Sequence, residues 1–150
     1  MKLQTIDLHL IRFFQKYWLP MARFGLFVVF FWFGILKVFG LSPATPLVEK
    51  LFEETISFMS FGTFIVLFGI FECLIGLLFL KKGFERIVMP LLLLHMITTF
   101  MPLFMLREAT WSGLLVPTLE GQYIIKNLVI IACAMGIASQ LHPLQKNSLN

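Results

Sequence analysis

Four long apolar stretches dominate this sequence of 150 residues, running approximately over residues 23–40, 57–80, 87–106 and 123–141. Each is close to the roughly 20 residues that an α-helix needs to cross about 30 Å of hydrocarbon. Apolar residues make up 59% of the chain and charged residues 13%, whereas soluble domains hold about 45–50% and about 25%. The sequence therefore predicts an all-α integral membrane protein, a four-transmembrane-helix bundle that forms one membrane domain over residues 1–150.

An amphipathic segment precedes the first predicted span. Charged residues scattered through residues 1–20 argue against a cleavable signal peptide. The segment carries one helical stripe of apolar side chains: Leu3, Ile6, Leu10, Phe13, Phe14 and Tyr17. Such a stripe is typical of a helix that lies in the membrane interface, and Pro20 then marks the entry to the first span. The alternative is a plain extension of the first span into the cytoplasm.

The loop after the first span contains a second amphipathic pattern. Thr45 is placed to cap a helix that starts at Pro46, because proline suits the first helical position. The apolar residues of this helix share one side, and its charged residues share the other. We therefore expect a short external helix on the membrane surface.

Basic residues are distributed unevenly among the segments that join the spans. They cluster before the first span and in the second loop, at Lys81, Lys82 and Arg86, whereas acidic residues offset them in the other two loops. The positive-inside rule then predicts a multi-pass protein with both termini and the second loop in the cytoplasm. The net charge of +4 follows from this distribution, so we expect a lipid bilayer as the partner and no nucleic acid.

Four ionisable residues lie inside the predicted spans: Lys37, Glu72, His95 and Lys126. Such residues are rare in membrane helices, usually face the bundle interior and mark candidate functional sites. At 1.5 Å per residue, the two lysines lie near the outer ends of spans one and four, and Glu72 and His95 lie about 12 Å from the cytoplasmic boundary. The sequence therefore predicts two layers, an outer pair of lysines and an inner Glu–His pair.

Each of these residues also has a purely structural interpretation. The side chains of Lys37 and Lys126 are long enough to snorkel to the outer headgroups. Glu72 lies too deep for that, and it needs either a proton or a partner such as His95 or a lysine, which would fix the helix register. We expect Lys37 to point inward, towards Lys126 and Glu120, rather than towards the headgroups.

Other reactive residues indicate no catalytic or metal site. His95 has no second histidine inside a span to complete a membrane haem, and no residue cluster suits zinc or an iron–sulfur centre. Cys73 and Cys133 lie at similar predicted depths, which fits either a redox pair or small packing residues. In the second span Gly62, Gly69 and Gly76 recur every seven residues, a spacing that lets a neighbouring helix approach closely.

The chain resembles the DoxX-like superfamily of small four-helix membrane proteins, and within it the bacterial reactive-chlorine-resistance branch. The segments "FWFGILKVFG", "FECLIGLLFL" and "EGQYIIKNLVI" carry the resemblance. They and the loop after span one contain four ordered motifs: Gly34 to Lys37, Pro46 to Val48, Glu72 to Gly76 and Gly121 to Lys126. The resemblance implies a protein of the bacterial plasma (inner) membrane that is linked to redox chemistry or oxidative stress.

Three functions remain open at this point. The first is an accessory or scaffold subunit that binds other membrane subunits or forms a homo-oligomer. The second is the membrane subunit of a quinone-linked oxidoreductase, with an outer-leaflet site at Lys37 and Lys126 and no covalently bound cofactor. The third is a small-molecule transporter, although no inverted repeat is visible. The candidate ligand-binding residues are Lys37, Glu72, His95, Glu120, Lys126 and Asn127.

Overall fold

The structure, a computed structural model, describes residues 2–143, with side chains from residue 4 onward. Four helices in it are long and apolar enough to cross a membrane: Gln4–Val38, Phe61–Leu80, Glu85–Met105 and Leu119–Ala138. The four predicted apolar helices are thus confirmed. In chain order the elements are α1 (Lys2–Val38), α2 (Thr45–Thr55), α3 (Phe61–Leu80), α4 (Glu85–Phe100), α5 (Pro102–Met105), α6 (Arg107–Thr110), β1 (Trp111–Gly113), β2 (Val116–Pro117), α7 (Leu119–Ile125) and α8 (Asn127–Ala138).

The first helix continues through Pro20, where the sequence suggested that a separate interfacial helix ends. Its 37 residues extend over about 55 Å, compared with about 30 Å for a hydrocarbon core. Residues 4–18 are exposed, and packing against the core begins at Leu19. The structure thus has the alternative arrangement, in which this segment extends the first span. Its position relative to the membrane interface stays a prediction.

A helix does follow the first span, but its start differs from the predicted one. α2 begins at Thr45, its N-cap is Ala44, and no side chain caps it. Thr45 as the capping residue was therefore wrong, because a turn closed by the hydrogen bond from the Thr45 N–H to the Ser42 carbonyl already places Thr45 in the helix. The buried ring of Phe52 anchors α2 to the start of α3. The location of α2 outside the membrane stays a prediction.

α1 and α3 run antiparallel with their backbones in close contact. A Cβ atom placed on Gly34 would lie 2.6 Å from the Gly69 carbonyl oxygen, and one on Gly76 would lie 2.8 Å from the Phe31 nitrogen. Any larger residue would push the helices apart at both places. A Cβ atom placed on Gly62, the third glycine of the predicted stripe, would meet nothing within 4 Å among the described residues, so only part of that stripe forms the contact.

The other long helices complete the bundle around one apolar core. α3 contacts α4, and α8 packs against both α1 and α4. The core consists of buried side chains from all four candidate spans: Leu26, Phe30, Ile75, Phe79, Val88, Leu92, Met96, Ala134 and Ile137. The ionisable side chains described below adjoin this apolar cluster, so their charges lie away from water.

The segment between α4 and α7 contains a small β-hairpin that the all-α prediction missed. β1 pairs antiparallel with β2, with Trp111 opposite Pro117 and Gly113 opposite Val116. The next span begins at Leu119 and is capped by Thr118, whose hydroxyl accepts a hydrogen bond from the Gly121 N–H at 3.2 Å. This cap precedes a fourth span that starts four residues earlier than the apolar stretch indicated.

Candidate functional site

Three buried ionisable side chains from three different helices meet inside the bundle. Lys37 of α1, Glu72 of α3 and His95 of α4 are each 5% exposed. The Lys37 ammonium donates to Glu72 Oε2 at 2.6 Å, and His95 Nε2 donates to Glu72 Oε1 at 2.8 Å. We call these residues the ionic triad. The carboxylate at its centre uses both oxygens, so one side chain links three helices.

Helix geometry explains why the Lys37 and Glu72 side chains meet. The Gly34–Gly69 contact sets the register of the antiparallel helices, and it places the Cα atoms of Lys37 and Glu72 roughly 6–9 Å apart along the axis. Side chains tilt towards the N-terminus of their own helix. In antiparallel helices these tilts point towards each other, so the two side chains converge at the level of the glycines, where no side chain obstructs them.

His95 is held on all sides by aromatic rings and by its own helix. Phe68 stacks on the imidazole at 5.2 Å between centroids, and Phe30 meets it edge-on at 5.2 Å. The Thr99 hydroxyl lies 3.2 Å from His95 Nδ1 and 2.9 Å from the His95 carbonyl oxygen. Both imidazole nitrogens therefore have partners, and the ring orientation is fixed.

The predicted separation of the ionisable residues into two layers is wrong for Lys37. The prediction compared Cα depths, which put Lys37 with Lys126 and away from Glu72. The long lysine side chain and the opposed tilts instead bring its ammonium group into the Glu72–His95 layer. The inward orientation of Lys37 is confirmed by its burial, whereas its described partner is Glu72 rather than Lys126 or Glu120.

The other three candidate residues lie together at the start of the fourth span. Lys126 is exposed, joins α7 to α8, and holds its ammonium 4.8 Å from the centroid of the Tyr123 ring. Asn127 donates to two backbone carbonyls of the preceding turn. Glu120 is exposed in the first turn of α7, where a carboxylate complements the helix dipole. A ligand site that these residues share with the ionic triad stays a prediction.

A second buried ion pair was not predicted from the sequence. Arg23 donates one guanidinium N–H to the Phe79 carbonyl oxygen at 3.1 Å and another to the Glu85 carboxylate. Both charged side chains are buried. The sequence did not indicate this pair, because Arg23 and Glu85 each lie at the end of an apolar stretch, where a charged side chain is expected to contact water. The available signal was an arginine at the start of the first span and a glutamate at the start of the third, which run in the same direction when successive spans alternate.

The two cysteines do not pair with each other. Cys73 Sγ lies 3.6 Å from the Phe31 carbonyl oxygen, and Cys133 Sγ lies 3.9 Å from the Ala22 carbonyl oxygen. Both thiols are free, and their contacts on α1 are nine residues apart. Within the described residues no group of three His, Cys, Asp or Glu side chains is placed to hold a metal ion.

The ionic triad can therefore do two things chemically. It can lock three helices in one register, since each charge has an opposite charge or a hydrogen-bond partner. It can also pass a proton along the connected Lys37–Glu72–His95 atoms, since all of these groups exchange protons. Comparisons of the whole chain with protein-family models, with curated proteins and with solved structures found no match.

Proposed function

We propose that this chain is a non-catalytic accessory or scaffold subunit of a membrane complex. The observation that carries the proposal is the complete pairing of the ionic triad: the Glu72 carboxylate accepts from Lys37 at 2.6 Å and from His95 at 2.8 Å. A charge that bound a substrate would need to be accessible to it and would not already be paired with an opposite charge. The three side chains of the triad bind one another and are nearly inaccessible to solvent.

The second buried pair supports the same interpretation. Arg23 and Glu85 join α1 to the start of α4, while the ionic triad joins α1, α3 and α4. Removing one partner from a buried pair is far more destabilising than the pair itself is stabilising. Two such pairs therefore select one arrangement of the spans, which is what a rigid scaffold requires.

Several further features belong to the proposal. The resemblance to DoxX-like proteins suggests a bacterial plasma membrane and a complex concerned with redox chemistry or oxidative stress. The distribution of basic residues favours cytoplasmic termini, an interfacial N-terminal segment and an external α2. The partners are other membrane subunits or further copies of this chain.

Native electrophoresis of mild-detergent extracts from cells tests the scaffold proposal. The wild-type chain is expected to migrate in an assembly larger than its own bundle. Glu72→Gln is expected to lose that assembly, because it leaves the Lys37 ammonium without a carboxylate. Lys37→Met combined with Glu72→Gln removes the charges together and is expected to restore it. A double variant that folds but does not assemble would overturn the proposal, since the charges would then have a role beyond packing.

The second candidate is the membrane subunit of a quinone-linked oxidoreductase. The observation that favours it is the set of exchangeable protons beside aromatic rings: Phe68 stacks on His95, and the Lys37 ammonium lies 5.7 Å from the Phe68 ring centroid. A lysine beside a quinone oxygen would stabilise the negative charge that develops on reduction. The partner subunit would supply the electron carrier.

Retention of quinone during purification tests this second candidate. If the chain binds quinone, the purified wild-type protein is expected to retain quinone and the purified Lys37→Ala variant is expected to lose it. Lys50→Ala is the matched control, because it removes an exposed lysine outside the candidate site, and Lys126→Ala tests the second lysine of the predicted site. Absence of quinone from folded wild-type protein would exclude the candidate. Loss of quinone from both Lys37→Ala and Lys126→Ala, but not from Lys50→Ala, would support the outer-leaflet site that the sequence predicts.

A further inference from the structure

The tip of the β-hairpin exposes two leucines at a position where a polar turn is the norm. Leu114 and Leu115 are 94% and 81% exposed. Leu115 has a φ of 58°, in the left-handed region that suits glycine or asparagine and that leucine rarely adopts. An apolar side chain is therefore kept at this position despite an unfavourable backbone conformation and despite its exposure.

The base of the hairpin is firmly attached to the bundle, so its tip has a defined position. Trp111 Nε1 donates to the Leu103 carbonyl at 3.0 Å, and the Thr118 N–H donates to the Thr110 carbonyl at 3.0 Å. Gly121 packs its backbone against the same Thr110 carbonyl, where no Cβ would fit. The exposure of the two leucines is thus a property of an ordered loop.

The surroundings of the tip indicate what covers it. The eleven residues from Ala109 to Leu119 include no ionisable side chain. Phe104 at the end of the third span and Leu119 at the start of the fourth are exposed on the two sides of the hairpin. Exposed apolar side chains therefore border the hairpin on both sides along the chain, at the ends of two candidate membrane spans. Neighbouring charges, which a water-exposed loop would need, begin only beyond both ends.

We propose that the hairpin tip is a membrane anchor, and that Leu114 and Leu115 insert into the acyl chains of the adjacent leaflet. Insertion removes two large apolar side chains from water, and this gain maintains the strained Leu115 backbone. The occupant of this surface is lipid rather than a second protein. The proposal is independent of whether the chain is a scaffold or a redox subunit.

Spin labelling in liposomes tests the anchor. A nitroxide is attached at Leu114→Cys in full-length protein that also carries Cys73→Ala and Cys133→Ala. Its collision rates are measured with oxygen, which concentrates in lipid, and with a water-soluble nickel chelate. We expect the ratio of oxygen to nickel accessibility to be several times that of a label at Lys82→Cys, an exposed turn position. It is expected to approach the ratio of a label at Leu128→Cys, an exposed position within the fourth span.

A second variant shows whether the apolar tip itself drives insertion. Leu115→Asn relieves the backbone strain and makes the tip polar, so the turn is retained. We expect it to move the Leu114 label several-fold towards the accessibility ratio of the Lys82 label. The proposal is overturned by a Leu114 label that already matches the Lys82 label in the parent protein. A label shielded from both reagents also overturns it, because protein would then cover the tip. The proposal is also overturned if Leu115→Asn leaves the accessibility ratio of the Leu114 label unchanged, because the nitroxide rather than the leucine side chains would then be inserting.

Discussion

Neutralising the central carboxylate of the ionic triad is the sharpest test of how the bundle is held together. Glu72→Gln preserves the shape of the side chain and its hydrogen bond to His95. It removes the only carboxylate that contacts Lys37 among the ion pairs of the described residues. The buried ammonium is then left with a neutral amide, so the variant isolates the effect of the charge.

The expected magnitude follows from the pair geometry. At the 2.6 Å separation of Lys37 Nζ and Glu72 Oε2, an effective dielectric constant of about 20 gives roughly 6 kcal/mol of attraction. Desolvation of each ion costs several kcal/mol and offsets this attraction. The pair itself therefore contributes little net stability, whereas Glu72→Gln keeps the cost of the buried ammonium without its compensation. We expect a loss of about 3–5 kcal/mol in the free energy of unfolding.

Titration of the detergent-solubilised protein with sodium dodecyl sulfate, followed by tryptophan fluorescence, measures this loss. A double-mutant cycle with Lys37→Met isolates the interaction between the two side chains. We expect each single variant to be less stable than the double variant. Glu120→Gln is the matched control, because it removes an exposed carboxylate, and its effect is expected to stay within about 0.5 kcal/mol.

Additive effects in the cycle would refute this reasoning. If the coupling between Lys37 and Glu72 is below about 0.5 kcal/mol, the two side chains behave as independent sites. If Glu72→Gln changes stability no more than Glu120→Gln does, the charge at the centre of the triad has no structural role. Either result would also remove the main support for a scaffold function.

Three further substitutions probe the remaining contacts by the same unfolding measurement. Gly34→Ala is expected to destabilise the bundle by at least about 2 kcal/mol, because its Cβ would overlap the α3 backbone. Gly25→Ala is the control, because a Cβ there would meet no described atom within 4 Å, and it is expected to be neutral or to stabilise the bundle by up to about 1 kcal/mol. Equal effects would contradict the close packing. Arg23→Met is expected to lower the free energy of unfolding by about 3–5 kcal/mol, since it leaves a buried carboxylate unpaired. Its control, Arg12→Met, removes an exposed arginine and is expected to change that free energy by less than about 0.5 kcal/mol. Thr118→Ala removes the cap of α7 and is expected to lower the free energy of unfolding by about 1 kcal/mol. An unchanged midpoint of the unfolding titration would show that the cap is dispensable.

The long helices were predictable because apolar length alone determines them. Their pairing was only partly predictable. The seven-residue glycine pattern correctly identified Gly69 and Gly76 as contact residues, but it also included Gly62, which meets nothing. The pattern lies on one helix, and it does not show where the partner helix ends.

The candidate site was predictable as a set of residues but not as an arrangement. Burial of charge in a predicted span identifies Lys37, Glu72 and His95 one at a time. Their meeting depends on helix register and on side-chain tilt, which together bring side chains into contact from Cα atoms that lie roughly 6–9 Å apart along the axis. The hairpin was not predictable, because Leu114 and Leu115 occupy a turn without the glycine or asparagine by which such turns are recognised.

The convergence of Lys37 and Glu72 across the glycine contact has a consequence for the insertion of the chain into the membrane. A slip of one helical turn between α1 and α3 moves the two groups about 5.4 Å along the axis. Insertion of α1 in the reverse orientation turns the lysine away altogether. Each error leaves an unpaired charge in the apolar interior, at a cost of about 3–5 kcal/mol. The same three side chains that hold the finished bundle thus also make a slipped or reversed arrangement of the spans less stable than the correct one.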